Sequence, residues 1–261
     1  TRAALASQLI DPYLFSLIRI SSAAAVLATV LWYRNASTGD FQWKWKPASY
    51  LILYCFAFSV AYQFVGGATG ALILFATVQF TMIGYGYRRG QRLSIPEWLG
   101  VMLSVIGFLF LLLPGANKPP LVGFALMVFA GVGWALFSIS GLASKNAIRD
   151  VAQGFISSVP IAILLSVGFI GHWHLSASGV LLALDSGVFA SGCGYCIWYL
   201  MLPLLSAASA AVFQLLVPVV VALMGVLFLN EAFTVRFALS GTLVIMGLAW
   251  FAWCRHKRVR A

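Results

Sequence analysis

Two ionisable residues lie inside apolar segments of this sequence, where a charge is costly unless it has a partner or a ligand. Arg19 follows Pro12 by seven residues, and Asp185 follows Ser178 by seven. At 1.5 Å per residue, each would lie roughly 10 Å inside a membrane-spanning helix. A guanidinium suits a carboxylate and an aspartate can hold an ammonium group, so the pair predicts a zwitterionic ligand such as an amino acid. A structural ion pair, or side chains that extend to the membrane surface, are the alternatives.

Uncharged polar side chains in other apolar segments extend this candidate substrate site. Gln79, Gln214 and Trp134 all fall near the middle of such segments. Pro218 has no backbone N–H to donate to the Gln214 carbonyl four residues earlier. The sequence therefore predicts that Gln214 exposes an amide side chain and a free carbonyl at the depth where transporters usually bind substrate. A packing kink without a binding role is the alternative.

Cysteine and histidine residues give only weak metal or redox motifs. Cys193 and Cys196 have C-x-x-C spacing but lie within an apolar segment, whereas redox or zinc chemistry needs an accessible, ligand-rich setting. His172 and His174 lie in a loop, and two loop histidines are too few to define a site. We therefore expect no catalytic residues, no metal site and no cofactor.

The composition requires that membrane helices position these residues. Of the 261 residues, 62% are hydrophobic and 8% are charged, and the mean hydropathy is +0.98. Soluble domains carry roughly a quarter charged residues. No charge occurs between Lys46 and Arg88 or between Asp185 and Glu231. Each gap is long enough for two helical crossings of about 20 residues, so the chain is predicted to be an all-α polytopic membrane protein.

Nine spans follow from the apolar runs and the turns between them. The runs are near-continuous, which favours helices over the shorter alternating strands of a membrane barrel. The predicted spans are 12–33, 47–66, 68–87, 97–114, 120–144, 151–171, 178–201, 206–229 and 235–254.

The distribution of Lys and Arg predicts the orientation of the chain. With the C-terminus in the cytoplasm, the far side holds Arg2, Lys118 and Arg236, and Arg19 lies within a span. The remaining twelve face the cytoplasm, in accord with the positive-inside rule: Arg34, Lys44, Lys46, Arg88, Arg89, Arg92, Lys145, Arg149, Arg255, Lys257, Arg258 and Arg260. The formal charge of +10 thus indicates topology and contact with anionic lipid rather than with nucleic acid.

The sequence also contains a weak internal repeat. A shift of 140 residues aligns Gly107 with Gly247 and Phe15 with Phe155, and the spans recur at matching spacing. The division is 1–117 and 118–261, with the span 120–144 lacking a partner in the first half. We expect two inverted five-helix repeats, a ten-helix fold whose first helix is missing from this sequence; a genuine nine-span protein is the alternative.

Several segments resemble the EamA-type family of the drug/metabolite transporter superfamily. They are the segment from Pro12 to Arg19, residues 90–94 (GQRLS), residues 194–199 (GYCIWY) and residues 229–234 (LNEAFT). The resemblance covers essentially the whole chain. It implies ten helices, alternating access and export of small metabolites or amino acids. Tyr195, within the third segment, joins Arg19 and the others as a substrate-binding candidate.

The sequence departs from the family pattern at two places. Gln91 stands where an acidic residue is usual, and Val78-Gln79 replaces a common proline. These departures bear on the substrate rather than on the fold.

A secondary transporter of the bacterial inner membrane is the preferred function, with a lipid-acting membrane enzyme, a channel and a scaffold as alternatives. An enzyme would need clustered acids or histidines, but the chain has six acids and three histidines, all scattered. There is no nucleotide-binding motif. The expected partners are a small-molecule substrate and the bilayer, while proton coupling and a monomeric or homodimeric state stay open.

Overall fold

The structure of this chain, a computed structural model, describes residues 1, 4–5, 7–33, 41–113, 118–229 and 234–260. Arg2, Arg34 and Glu231 lie outside the described residues. The principal α-helices are α1 Pro12–Tyr33, α2 Trp45–Ala61, α3 Gly67–Arg88, α4 Ile95–Leu112, α5 Leu121–Leu142, α6 Ala147–Val167, α7 Ala177–Asp185, α8 Gly194–Met201, α9 Ala207–Phe213, α10 Leu216–Leu229 and α11 Val235–Arg260.

The helices confirm an all-α membrane protein. Seven helical stretches in the described residues are long and apolar enough to cross a membrane, with 177–204 counted as one. Two of the predicted spans do not appear as single helices long enough to cross a membrane. The span 47–66 ends early because α2 stops at Ala61 after 17 residues, and the span 206–229 is divided into α9 and α10. The last helix continues to Arg260, beyond the apolar run that predicted its end at 254.

Short polar motifs begin several of these helices. Asp11 Oδ1 accepts the first free N–H groups of α1, from Tyr13 at 2.9 Å and Leu14 at 3.0 Å. Ser94 and Glu97 form a reciprocal capping box at the start of α4. Because these side chains satisfy backbone donors that have no partner within the helix, they fix where each helix begins.

The closest helix pair joins α4 to α11. A methyl group on Gly100 would lie 2.8 Å from the Gly247 carbonyl oxygen, and one on Gly107 would lie 2.8 Å from the Ser240 carbonyl oxygen. Between these contacts the Ser104 hydroxyl donates to the Val244 carbonyl at 3.4 Å. Residues later in α4 contact residues earlier in α11, so the two helices run antiparallel.

A buried carboxylate secures one end of this pair. Glu97 is fully buried and receives Arg255 Nη1 at 3.2 Å and Arg258 Nη1 at 3.1 Å. The Ser94 backbone N–H adds a bond of 2.6 Å to the same carboxylate. Arg258 also donates to the Arg92 carbonyl at 2.6 Å. The Glu97 charge is therefore matched by two cations, and α4 is tied to the basic end of α11.

The remaining helices pack across the two halves of the sequence. Helix α1 packs along α6, α2 packs along α5, and α3 contacts both α5 and α9. The largest core cluster draws buried side chains from α1, α2, α3, α5, α6, α8 and α9. Since the predicted halves meet at 117/118, this core is also their interface.

The stretch 177–204 is interrupted by a π-helical segment, Ser186–Cys193, between α7 and α8. A methyl group on Gly187 would overlap the Ser22 hydroxyl and lie 2.6 Å from the Arg19 carbonyl oxygen. Glycine at this position therefore allows the π segment to contact the backbone of α1. Such segments add a residue per turn and often occur at functional sites.

Candidate functional site

The Arg19 side chain lies inside the bundle and is only 4% exposed. Its Nε donates to Ser191 Oγ at 2.8 Å, and Nη2 donates to the Tyr195 hydroxyl at 2.9 Å and to the Tyr54 hydroxyl at 3.4 Å. Its third nitrogen, Nη1, is buried without a hydrogen-bond partner. The guanidinium is thus held by three neutral hydroxyl groups, with one nitrogen left to bind something else.

Backbone geometry brings these hydroxyls to Arg19. The close approach at Gly187 sets the π segment against α1, and four residues further on Ser191 reaches the guanidinium. Tyr195 lies one helical turn beyond Ser191, at the start of α8. Residues four apart share a helix face, so both oxygens point toward the same side.

Aromatic rings in mutual succession form a continuous wall beside the guanidinium, defined here as Tyr54, Trp134, Phe137, Phe155 and Tyr195. The Trp134 ring centroid lies 4.8 Å from that of Tyr195 and 5.2 Å from that of Tyr54. Phe155 lies 5.5 Å from Tyr195. Arg19 Cζ is 5.4 Å from the Tyr54 ring centroid, within range of a cation–π interaction.

Gln214 orients Trp134 within this wall. Its Oε1 accepts a hydrogen bond from Trp134 Nε1. Its Nε2 donates to the Ala210 carbonyl at 3.2 Å and lies 3.2 Å from the Met82 sulfur. Both polar atoms of the amide therefore have partners, and in this conformation Gln214 positions Trp134 through Oε1 instead of presenting free polar atoms.

The predicted free carbonyl of Gln214 is wrong. Helix α9 ends at Phe213, and the Gln214 carbonyl accepts the Val217 N–H at 3.1 Å. The break comes before Pro218, and a tighter i to i+3 turn uses the carbonyl that an unbroken helix would have left open.

Gln79 is also buried, but its surroundings differ. Nε2 donates to the Ala211 carbonyl at 2.6 Å, and Oε1 has no hydrogen-bond partner. The residue lines an apolar crevice of about 390 Å³ between α3 and α4, where Phe80 is 80% exposed and Met102 45% exposed. Gln79 therefore links the α3–α9 contact to a crevice open on the outer surface of the bundle.

Asp185 does not pair with Arg19. Its side chain is exposed, and no ion pair within 4.0 Å joins it to the guanidinium. Asp185 precedes Gly187 by two residues, which is roughly 200° around a helix of 3.6 residues per turn. Because Gly187 faces α1, Asp185 faces away from it.

Two hydrogen-bond partners of Arg19, Tyr54 and Ser191, were not predicted from the sequence. Tyr54 lies in an apolar run, and its hydroxyl could have marked a buried polar contact. Ser191 could not be singled out from the sequence, because most residues of the segment 186–194 are small. The four cysteines are free thiols, Cys193 being exposed. Across the described residues, no three His, Cys, Asp or Glu side chains group together as metal ligands would.

Residues 121–253 match the EamA-like transporter family.

Curated relatives match nearly the whole chain. An uncharacterised protein of Pseudomonas aeruginosa is 40% identical over 248 residues, which cover 95% of this chain and 86% of that protein. An uncharacterised transporter of Archaeoglobus fulgidus is 27% identical, covering 92% of this chain and 87% of that protein. The uncharacterised transporter YoaV of Bacillus subtilis is 23% identical, covering 95% of this chain and 90% of that protein.

A solved crystal structure of a protein has the same fold. It superposes with a TM-score of 0.80 at 17% identity, and the match covers 94% of this chain and 89% of the solved one. At this identity the likeness concerns the arrangement of helices alone.

Proposed function

The chain belongs to the EamA-like transporter family, and from that premise we propose that it exports a small metabolite by alternating access. It is a multi-pass membrane protein with a transporter role and is not an enzyme. In this proposal the substrate binds at Arg19 and the aromatic wall. The driving force is a gradient of solute or protons, since the sequence has no nucleotide-binding motif.

The observation that carries the proposal is a set of buried polar contacts between the two halves of the chain. Arg19 bonds to Ser191 and Tyr195, and Gln79 bonds to the Ala211 carbonyl. Such contacts can break and re-form when one half tilts against the other. A substrate bound between the halves would therefore be exposed to one side of the membrane at a time.

The α4–α11 pair supports an inverted relation between the halves. Ser104 and Val244 are 140 residues apart and contact each other. Gly100 and Gly247 also contact each other. Moving Gly100 forward by 140 residues and Gly247 back by 140 gives Ser240 and Gly107, and these two residues are in contact as well. A two-fold axis that exchanges two antiparallel helices lies perpendicular to them, hence in the membrane plane. Halves related in this way support two mirror-related conformations.

We propose a bacterial inner membrane as the location, with the C-terminus in the cytoplasm. The twelve-to-three distribution of basic residues supports this orientation. Single cysteines at Arg89→Cys and His172→Cys, in a background without native cysteines, test it with an impermeant thiol reagent. We expect labelling of position 172 alone from outside intact cells, and labelling of position 89 from outside would contradict the orientation.

The function is tested in proteoliposomes with a panel of radiolabelled amino acids and small carboxylic acids. We expect saturable uptake of at least one compound, accelerated when the same unlabelled compound is preloaded inside. Such counterflow requires a site that alternates between the two faces, which a channel, a scaffold or a lipid enzyme does not have. Absence of saturable exchange for every compound, with folded protein in sealed liposomes, would contradict the proposal. Dependence on an imposed pH gradient tests proton coupling.

A further inference from the structure

We infer that the transported substrate is an organic anion whose carboxylate is bound by Arg19 Nη1 while its apolar body lies on the aromatic wall. This inference rests on the proposed function, because it assigns the substrate class of the same central site. It differs from the zwitterion expected from sequence, which needed Asp185 beside Arg19.

None of the described acidic residues pairs with Arg19, and four of the six acidic residues lie in the described part of the chain. Glu97 pairs with two arginines, and Asp150 lies 3.7 Å from Lys44 and accepts from Ser144 at 2.6 Å. Asp11 caps α1 through Oδ1, while its Oδ2 is buried without a hydrogen-bond partner. Asp185 is exposed.

No carboxylate oxygen of the described residues lies within 4.0 Å of the Arg19 guanidinium. A buried cation whose hydrogen-bond partners are all neutral pays the desolvation cost without recovering it from an ion pair. An anionic ligand would recover that cost on binding, so the site is preorganised for negative charge.

The arrangement of N–H donors on the Arg19 guanidinium also favours a carboxylate. A guanidinium carries five N–H groups and matches a carboxylate with two parallel hydrogen bonds. Nε and Nη2 already donate to hydroxyl groups, whereas Nη1 does not. A carboxylate at Nη1 would therefore meet the two N–H groups that the guanidinium leaves unused.

The aromatic wall would hold the body of the substrate. The Trp134 ring contacts the rings of both Tyr195 and Tyr54, and the Tyr54 ring lies beside the guanidinium. Flat apolar groups pack on such rings. An ammonium group against the guanidinium would be repelled by its positive charge, so an amine is disfavoured.

Three probes that share one ring and differ in charge test the inference: phenylacetate, phenylacetamide and phenethylamine. Binding to the purified full chain is measured by isothermal calorimetry. We expect phenylacetate to bind at least about tenfold more tightly than the neutral amide and phenethylamine to bind most weakly. In Arg19→Gln the preference for acetate over acetamide should vanish, while Arg19→Lys should keep part of it because the charge remains.

Two controls separate the possible failures. Arg88→Gln removes an exposed arginine and should leave the preference unchanged, which excludes a general effect of positive charge. Trp134→Ala should weaken all three probes. Equal binding of the three probes, weakened by Trp134→Ala, would overturn the anion assignment while the central site of the proposed function stands. A preference for phenylacetate that persists in Arg19→Gln would also overturn the anion assignment. So would a folded wild type that does not bind phenylacetate. In either case, counterflow of other solutes tests the proposed function separately.

Discussion

Glu97 and Arg19 are both buried charges within helices, but Glu97 is surrounded by opposite charge and Arg19 is not. Glu97 is bound by Arg255, Arg258 and a backbone N–H. Arg19 is bound by hydroxyl groups and keeps an unused nitrogen. A charge with a complete set of partners holds helices together, whereas a charge with an incomplete set is suited to bind a ligand.

The internal repeat shows the same contrast. In the α4–α11 pair, a shift of 140 residues exchanges one contact for another. At the site the shift gives different residues, since Arg19 corresponds to Val159 and Tyr195 to Cys55. The contacts of the α4–α11 pair thus follow the 140-residue shift, while the residues of the candidate site do not.

The largest expected effect comes from Arg19→Gln. Counterflow should fall at least about 100-fold, because the charge that meets the substrate is lost. The melting temperature should hold or rise, since removing an unpaired buried charge relieves its desolvation cost. Proteoliposome counterflow and thermal unfolding in detergent measure the two outcomes. A large fall in melting temperature would assign Arg19 a structural role and remove the contrast with Glu97.

Glu97→Gln should have the opposite pattern. Two arginines lose their shared anion, but both are partly exposed, so the expected loss of stability is about 1–3 kcal/mol. Counterflow per folded protein should stay close to wild type. Thermal unfolding at low and high salt is the measurement. A variant as stable as the wild type would show that the clamp on α11 contributes little.

Tyr195→Phe sharpens the comparison by removing one hydroxyl from Arg19. We expect apparent substrate affinity to fall about tenfold, the size of one hydrogen bond to a charged group. Tyr199→Phe is a matched control, because the Tyr199 hydroxyl donates to the Phe137 carbonyl at 2.8 Å, whereas the Tyr195 hydroxyl accepts from Arg19. Similar affinity losses in both variants would argue against a direct role for Tyr195.

The smallest effect is expected from Asp185→Asn. The side chain is exposed and does not pair with Arg19. Counterflow should therefore change by less than about twofold, and the melting temperature by less than a few degrees. A loss of transport as large as that of Arg19→Gln would restore the zwitterion hypothesis.

Apolar runs and charge-free gaps were sufficient to predict the helices. Their ends were less accurate where polar residues continue a helix, as in α11 beyond Trp253, or where the chain turns early, as after Ala61. The burial of Arg19 was predictable, because its depth in an apolar segment was visible. Its partners were not, since a contact between α1 and the π segment depends on distant positions.

The exposure of Asp185 has a physical explanation. Depth in a helix can be counted from the sequence, but the direction of a side chain depends on which face packs against a neighbour. Gly187 sets that face, and Asp185 lies on the other side of it. The turn at Gln214 was also unpredictable, because a proline at 218 is compatible with either a kink or a break.

Accessibility of position 191 on both sides of the membrane tests the account most directly. Ser191→Cys, with Cys55, Cys193, Cys196 and Cys254 replaced, places a thiol next to Arg19 Nε. In sealed vesicles we predict alkylation of this thiol by impermeant reagents added to either side, and protection from both sides by phenylacetate. Labelling from one side only, or labelling that phenylacetate does not slow, would contradict an alternating site at Arg19.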